Sequence, residues 1–162
     1  MIWVLIIVLS AGAYALAFYI QHSRKSKLKD AGQIIDRKND FTHKAEEFTL
    51  TVTDKNQITN GVKGLPYSDM NVSMKGDSEK QAFYFNGGTF EAQLWLKSEE
   101  NGKVVYEFNF THWMEPNSIS TVDGFYNMNK LLTAVERMFL SVDVNTQVKS
   151  WYLKTHTKAS LF

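Results

Sequence analysis

The chain has 162 residues, of which 18 are Lys or Arg, 17 are Asp or Glu and none is Cys. The lack of cysteine excludes a disulfide framework and a lipidated cysteine anchor. Residues 39–162 carry 12 basic against 15 acidic side chains, and this mildly acidic balance argues against a nucleic-acid partner, because phosphate binding needs clustered Lys and Arg.

An uncharged and largely apolar segment opens the chain, from Ile2 to Ile20. As a helix rising about 1.5 Å per residue it is about 28 Å long, close to the roughly 30 Å hydrocarbon core of a bilayer. Trp3 at one end and Tyr19 at the other are aromatic types that membrane interfaces favour. The sequence therefore predicts a transmembrane anchor over residues 1–21, with the lipid bilayer as a partner.

A basic segment follows the apolar one. Residues 21–38 hold six Lys and Arg side chains and two Asp side chains. Cations beside a spanning helix are retained on the cytoplasmic side, which predicts a single-pass membrane protein whose C-terminal domain is cytoplasmic. The cations nearest the span are expected to contact lipid headgroups: Arg24, Lys25, Lys27 and Lys29.

Two alternatives for this segment stay open. Ala11-Gly12-Ala13 and Ala15-Leu16-Ala17 match the small-x-small pattern of signal-peptide cleavage sites. An uncleaved helix that carries an exported domain is the other alternative, because charge bias is a tendency rather than a law. The missing basic n-region and the position of the positive charge favour an uncleaved anchor with a cytoplasmic domain.

Residues 22–47 are predicted to form a basic juxtamembrane stalk that continues the helix. Apolar residues recur there and just beyond at roughly helical spacing: Leu28, Ala31, Ile34, Ile35, Phe41, Ala45 and Phe48. Asn39-Asp40 is a predicted break, with Asp40 or Thr42 as the N-cap of a second short helix. On such a stalk the adjacent Glu46 and Glu47 are expected to be solvated and not to form an acid–base pair.

Residues 48–162 are predicted to form one globular domain. We expect a strand at residues 48–53, a short helix or loop near residues 58–65 and an edge strand near residues 70–74. The tail, at residues 147–155, is rich in β-formers and is predicted to be a strand, although its apolar spacing also fits a helix.

Alternating apolar and polar residues between Gln81 and Met114 predict an antiparallel meander of three strands. A two-residue turn at Asn86-Gly87 or Gly87-Gly88 is expected to join the first two strands. One face of the meander is then aromatic, formed by Phe83, Phe85, Phe90, Tyr106, Phe108 and Phe110.

Side-chain parity predicts the turn between the last two strands. Opposed residues in an antiparallel pair share a face, so Leu96 should oppose Tyr106. A two-residue turn at Asn101-Gly102 would instead place Glu107 opposite Leu96. We therefore expect a three-residue loop, Glu100-Asn101-Gly102, with Gly102 left-handed.

An amphipathic helix over Gly124–Ser141 is predicted to cover the aromatic face, with Asp123 or Thr121 as its N-cap. Its apolar stripe consists of Phe125, Met128, Leu132, Val135 and Phe139. The fold class is α+β, with an N-terminal transmembrane helix followed by one small domain in which a helix packs on an antiparallel β-meander.

Three aromatic side chains of the meander are predicted to point away from the aromatic face: Tyr84, Trp95 and Trp113. Exposed aromatic clusters tend to anchor binding partners, so these residues form a candidate surface for a protein partner. The alternative, which is favoured because a chain this rich in aromatic residues must bury many of them, is that they pack beneath the chain ends, for example against Trp151-Tyr152. Trp113, at a strand end, is the one of the three most expected to support the fold. Parity also places His112 on the apolar strand face, where local hydrogen bonding is the expected role.

The sequence specifies no chemistry. It contains no Gly-x-Ser-x-Gly, P-loop or Gly-x-Gly-x-x-Gly motif, and its four histidines have no ligand spacing. We therefore assign no catalytic residue, no metal ligand and no cofactor. These observations favour a non-enzymatic interaction or accessory domain held at the cytoplasmic face of the membrane.

Two further hypotheses are kept. An apolar N-terminal helix that runs into a stalk and a small antiparallel sheet resembles the architecture of pilins and pseudopilins, which implies an exported assembly subunit. The chain lacks their basic leader ending in Gly and has Leu5 where pilins usually carry Glu. The other hypothesis is a membrane-tethered domain that binds a small ligand between sheet and helix.

Overall fold

The computed structural model describes the backbone of residues 2–51, 54–114 and 119–153, and the side chains of residues 6, 9–51, 54–114 and 123–153. The chain divides into two compact units, Met1–Asp36 and Arg37–Phe162. The division falls inside the predicted stalk, close to its predicted break at Asn39-Asp40.

The first unit is built on helix α1, Ile2–Asp30. Gly32 has a φ of 67°, in the left-handed region that glycine adopts without strain. The Gly32 amide donates to the Lys29 carbonyl at 2.8 Å and the Gln33 amide donates to the Leu28 carbonyl at 2.8 Å. These are the two hydrogen bonds of a Schellman motif, which terminates a helix. The prediction that the helix continues to about Glu47 is therefore wrong.

Among the residues that the structure describes, no helix combines the length and the apolar composition needed to cross a bilayer. The apolar segment that predicts the anchor includes residues 2–5, 7 and 8, whose side chains lie outside the described set. The transmembrane helix therefore stays a prediction.

The second unit is built on an antiparallel sheet with six described strands in the order β2-β3-β4-β5-β1-β6. The strands are β1 Lys44–Leu50, β2 Ser73–Asp77, β3 Ala82–Asn86, β4 Phe90–Glu100, β5 Lys103–Trp113 and β6 Gln147–Tyr152. The helical elements are a 3₁₀ turn Asn39–His43, α2 Lys55–Lys63, α3 Tyr67–Met70 and α4 Ile119–Val142. The predicted α+β class of the domain is confirmed.

One face of the sheet is aromatic and buried, as predicted. The six aromatic side chains predicted for it are each at most 1% exposed: Phe83, Phe85, Phe90, Tyr106, Phe108 and Phe110. Helix α4 covers this face with its predicted apolar stripe, and Phe139 stacks on Phe48 of β1 at a ring distance of 4.5 Å. The core of the unit therefore lies between helix α4 and this one face.

The β4–β5 hairpin has the predicted pairing of Leu96 with Tyr106 but not the predicted turn. Leu96 opposes Tyr106, and Glu100 opposes Lys103, so the turn has two residues, Asn101 and Gly102. Both have positive φ values, 54° and 70°, as a type I′ turn requires. A bulge between Leu96 and Ser98 inserts the extra residue that restores parity. The three-residue loop is therefore wrong.

In the β3–β4 hairpin the side chains also lie on the predicted faces, but the turn residues differ from the prediction. Asn86 opposes Glu91, and the Gly87 amide donates to the Phe90 carbonyl at 2.9 Å. The turn residues are thus Gly88 and Thr89, not Asn86-Gly87 or Gly87-Gly88. The φ of Gly88 is 76°, and glycine at this first turn position suits a type II′ hairpin.

Other boundaries also differ from the sequence prediction. Strand β1 begins at Lys44, because residues 45–50 pair with β5 and residues 44–49 pair with β6. A single 3₁₀ turn, Asn39–His43, precedes it and has no side-chain N-cap. Helix α4 begins at Ile119, so Thr121 and Asp123 lie inside the helix and are not its N-cap.

Replacing Phe108 by Ala should lower the free energy of unfolding by about 3–5 kcal/mol, because it leaves a large cavity in the aromatic face. Chemical denaturation of the full-length chain in detergent, followed by tryptophan fluorescence, measures this. Tyr84→Ala is the matched control, since it removes an exposed aromatic side chain and should cost less than about 0.5 kcal/mol. A loss below about 1 kcal/mol for Phe108→Ala would contradict the packing described.

Candidate functional site

The candidate site lies on the side of the sheet opposite the core, which we call the outer face. Strand register places one row of side chains across it from edge to edge: Lys75, Tyr84, Gln93, Asn109, Ala45 and Trp151. The described helices of this unit contribute their buried residues to the core on the other side. None of these helices therefore packs on the outer face.

An ion-pair cluster around Lys97 occupies the part of the outer face near β1 and β6. The ammonium Nζ of Lys97 lies 2.8 Å from Glu47 Oε2 and 2.9 Å from Glu107 Oε2. It also lies 4.7 Å from the centre of the Trp151 ring, a cation–π arrangement. Hydrogen bonds to Glu47 and Glu107 raise the pKa of Lys97. These charges therefore have partners within the unit.

A groove lies on the other part of the outer face, near β2, β3 and β4. Its volume is about 280 Å³, and its lining consists of Ser73, Lys75, Tyr84, Phe85, Asn86, Glu91, Ala92 and Thr111. Tyr84 is 57% exposed. Within the described part of the chain, the side chains of Lys75, Tyr84 and Glu91 make no hydrogen bond or ion pair. The groove therefore offers an aromatic ring flanked by a cation and an anion.

Two of the three aromatic residues predicted for a partner surface lie on the outer face. Register places Tyr84 opposite Gln93 and Trp95 opposite Ala82, so the two aromatic residues are diagonal neighbours on adjacent strands. Trp95 is half-buried. Their placement agrees with the sequence prediction, and their role in binding stays a prediction.

Trp113, the third of these residues, lies in the core. It is 3% exposed, lies opposite Phe90 and makes an edge contact with the His43 ring at 5.0 Å. A bulge at Thr111 shifts the parity of β5, because His112 opposes Glu91 while Phe110 opposes Ala92. The prediction that Trp113 points outward, and with it the assignment of Trp113 to the partner surface, is therefore wrong. The expectation that Trp113 supports the fold is confirmed.

Residues Arg24, Lys25, Lys27 and Lys29, predicted to contact lipid headgroups, are exposed on helix α1. Two of them hold a partner within the first unit, because Lys25 Nζ lies 3.1 Å and Lys29 Nζ 2.6 Å from the two oxygens of Asp36. The Lys29 and Lys25 hydrogen bonds lower the pKa of the Asp36 carboxyl. Contact of the four cations with lipid stays a prediction.

Among the described residues, no three His, Asp or Glu side chains are grouped to hold a metal ion. The bulge at Thr111 places His112 opposite Glu91, so its predicted position on the apolar strand face is wrong. Sequence reasoning also missed Trp151 and Lys97 as outer-face neighbours, because their proximity depends on the bulge in β4 and on the position of β6.

No model of a known protein family, no curated protein sequence and no solved structure matches this chain.

Replacing Trp113 by Ala should lower the free energy of unfolding by about 3–5 kcal/mol, since a buried indole leaves a large cavity. Trp95→Ala is the matched control on the outer face and should cost clearly less, because Trp95 is half-buried. Denaturation curves of the two full-length variants provide the comparison. Equal losses would contradict the placement of Trp113 in the core.

Proposed function

We propose that this protein is a membrane-anchored, non-enzymatic interaction protein. A single helix over residues 1–21 anchors it, and the unit Arg37–Phe162 faces the cytoplasm. The groove beside Tyr84 binds a segment of a protein partner. The exposed Tyr84 ring, on a sheet face that no described helix of the unit covers, is the observation that carries this proposal.

The anchor is supported by the sequence of the whole N-terminal segment, including positions 2–5, 7 and 8. Nineteen successive uncharged residues match the thickness of a bilayer, and basic residues follow them directly. Exposed cations on the last two turns of α1 add electrostatic attraction to anionic headgroups, about 1 kcal/mol for each Lys or Arg near the surface.

Partner binding is supported by the chemistry of the groove. Tyr is enriched at binding surfaces because it combines a large apolar ring with a hydroxyl group and loses little conformational entropy on binding. Lys75 and Glu91, on either side of Tyr84 in the strand order, offer opposite charges that orient a bound segment. Because the Lys97 cluster has partners of its own, it is a poorer contact surface than the groove.

A small ligand is the second candidate occupant. The groove volume of about 280 Å³ lies near the lower end, roughly 300 Å³, of the range for small-molecule pockets. An exported assembly subunit of pilin-like architecture is the remaining alternative, and it differs from our proposal in the side of the membrane on which the second unit lies.

The membrane topology can be tested with two fusions at Phe162, one to alkaline phosphatase and one to a fluorescent protein. A cytoplasmic domain predicts a bright fluorescent fusion and an inactive phosphatase, because the basic flank is retained inside. An active phosphatase with a dark fluorescent fusion would favour the exported alternative. Recovery of a mature N-terminus after Ala13 or Ala17 would contradict the anchor.

Partner binding can be tested with a photoreactive phenylalanine analogue placed at Tyr84 in the full-length protein in cells. We expect a discrete protein adduct, identified by mass spectrometry, that the same analogue at exposed Glu100 does not form. The adduct should weaken by about tenfold or more in Lys75→Glu and Glu91→Lys backgrounds, because each reverses a charge beside the ring. Equal adducts at both positions, or no effect of charge reversal, would contradict the proposal.

A further inference from the structure

A buried cluster of charged side chains lies at the start of the second unit. Arg37 Nη1 donates to Glu46 Oε1 at 3.5 Å, Arg37 Nη2 donates to Glu136 Oε2, and Arg37 Nε donates to Asn129 Oδ1 at 3.3 Å. The side chains of Arg37, Glu46 and Glu136 are only 9%, 11% and 17% exposed. The prediction of a solvated Glu46 is therefore wrong, because β1 begins at Lys44 and turns Glu46 toward helix α4.

The cluster has one more anion than it has cations. One guanidinium faces two carboxylates, and within the described residues Glu46 Oε2 is buried without a hydrogen-bond partner. The elements around Glu46 offer little further charge. Thr133 of α4 donates to Asn129 Oδ1 at 3.1 Å, Phe108 and Ser150 are the register partners of Glu46 on β5 and β6, and Lys44 contributes a more distant positive charge.

A proton shared between the two carboxylates would correct this imbalance. It neutralises one buried charge and converts the unpartnered Glu46 oxygen into a donor toward Glu136. We propose that Arg37, Glu46 and Glu136 form a proton-dependent clasp, which holds the first residues of the second unit against helix α4 when Glu46 is protonated and loosens when Glu46 is ionised.

The surroundings of Glu46 favour its protonated form. Burial, and next the negative charge of Glu136, raise the pKa of Glu46 from 4.5 to about 7, although Arg37 and Lys44 act in the opposite direction. Between these two values the folded chain holds a proton that the unfolded chain has released. This contribution to stability is therefore complete at acidic pH, falls as the pH rises toward 7 and is absent above it.

Loosening should be local. Phe41 remains held in the core by edge contacts with Phe110 and Phe125 at ring distances of 5.9 and 4.9 Å. Ionisation of Glu46 should therefore mainly affect the stretch from Arg37 to the 3₁₀ turn and the middle of α4. The clasp therefore makes the local stability at the start of the second unit depend on pH, while the sheet stays folded.

Hydrogen–deuterium exchange of the full-length protein in detergent tests the clasp at about pH 6 and about pH 8, with rates corrected for intrinsic exchange. In the wild type we expect amides of residues 37–43 and around Glu136 to exchange at least about threefold faster at the higher pH. Glu46→Gln, which imitates the protonated acid, should abolish this difference. Glu47→Gln is the matched control, because Glu47 pairs with Lys97 on the outer face, and should retain it.

Carboxyl carbon NMR provides a second measurement that does not depend on local opening. The Glu46 carboxyl should titrate with a midpoint near 7 in the wild type. In Glu136→Gln the midpoint should fall by at least about one pH unit, since the neighbouring negative charge is gone. A Glu46 midpoint near the ordinary 4.5, or wild-type exchange that is equal at the two pH values, would overturn the proposal.

Discussion

Burial of a single aromatic sheet face against helix α4 is the constraint on which the second unit depends. Large aromatic rings line one side of the sheet, and a strand that slipped by one residue would turn its own rings to the other side and expose them. The register of every strand in the meander is therefore tied to the same core. The same constraint determines the composition of the outer face, because the alternate residues of each strand point away from α4.

Bulges reconcile this constraint with the turns that the chain contains. A two-residue Asn101-Gly102 turn is the favoured hairpin connection, but alone it would place a charge in the core. The bulge at Lys97 absorbs the extra residue and directs the ammonium of Lys97 toward Glu47 and Glu107 on the outer face. A second bulge at Thr111 returns Trp113 to the core side. The irregular positions thus determine which side chains each face presents.

These same positions mark the limit of what could be predicted from the sequence. Alternation identified the aromatic face, the covering helix and the pairing of Leu96 with Tyr106. A longer loop and a bulged strand satisfy the same parity, so the turn could not be deduced. Apolar residues continue at helical spacing after Leu28, so the sequence pattern did not predict that α1 ends in a Schellman motif at Gly32. The groove at Tyr84 is formed by residues of several strands, so it could not be predicted from any one segment. The burial of Glu46 was also missed, because β1 pairs with strands that are distant in sequence.

The strand order has a consequence for how the chain folds. Strands β2, β3, β4 and β5 pair neighbour with neighbour, whereas β1 pairs only with β5 and β6. During synthesis β1 leaves the ribosome before any other strand, yet it has no partner until about fifty further residues have followed. Contacts between such distant segments close slowly. Until they form, Phe48 and Leu50 remain exposed on an unpaired strand, which makes β1 the segment of the nascent chain most in need of protection from aggregation.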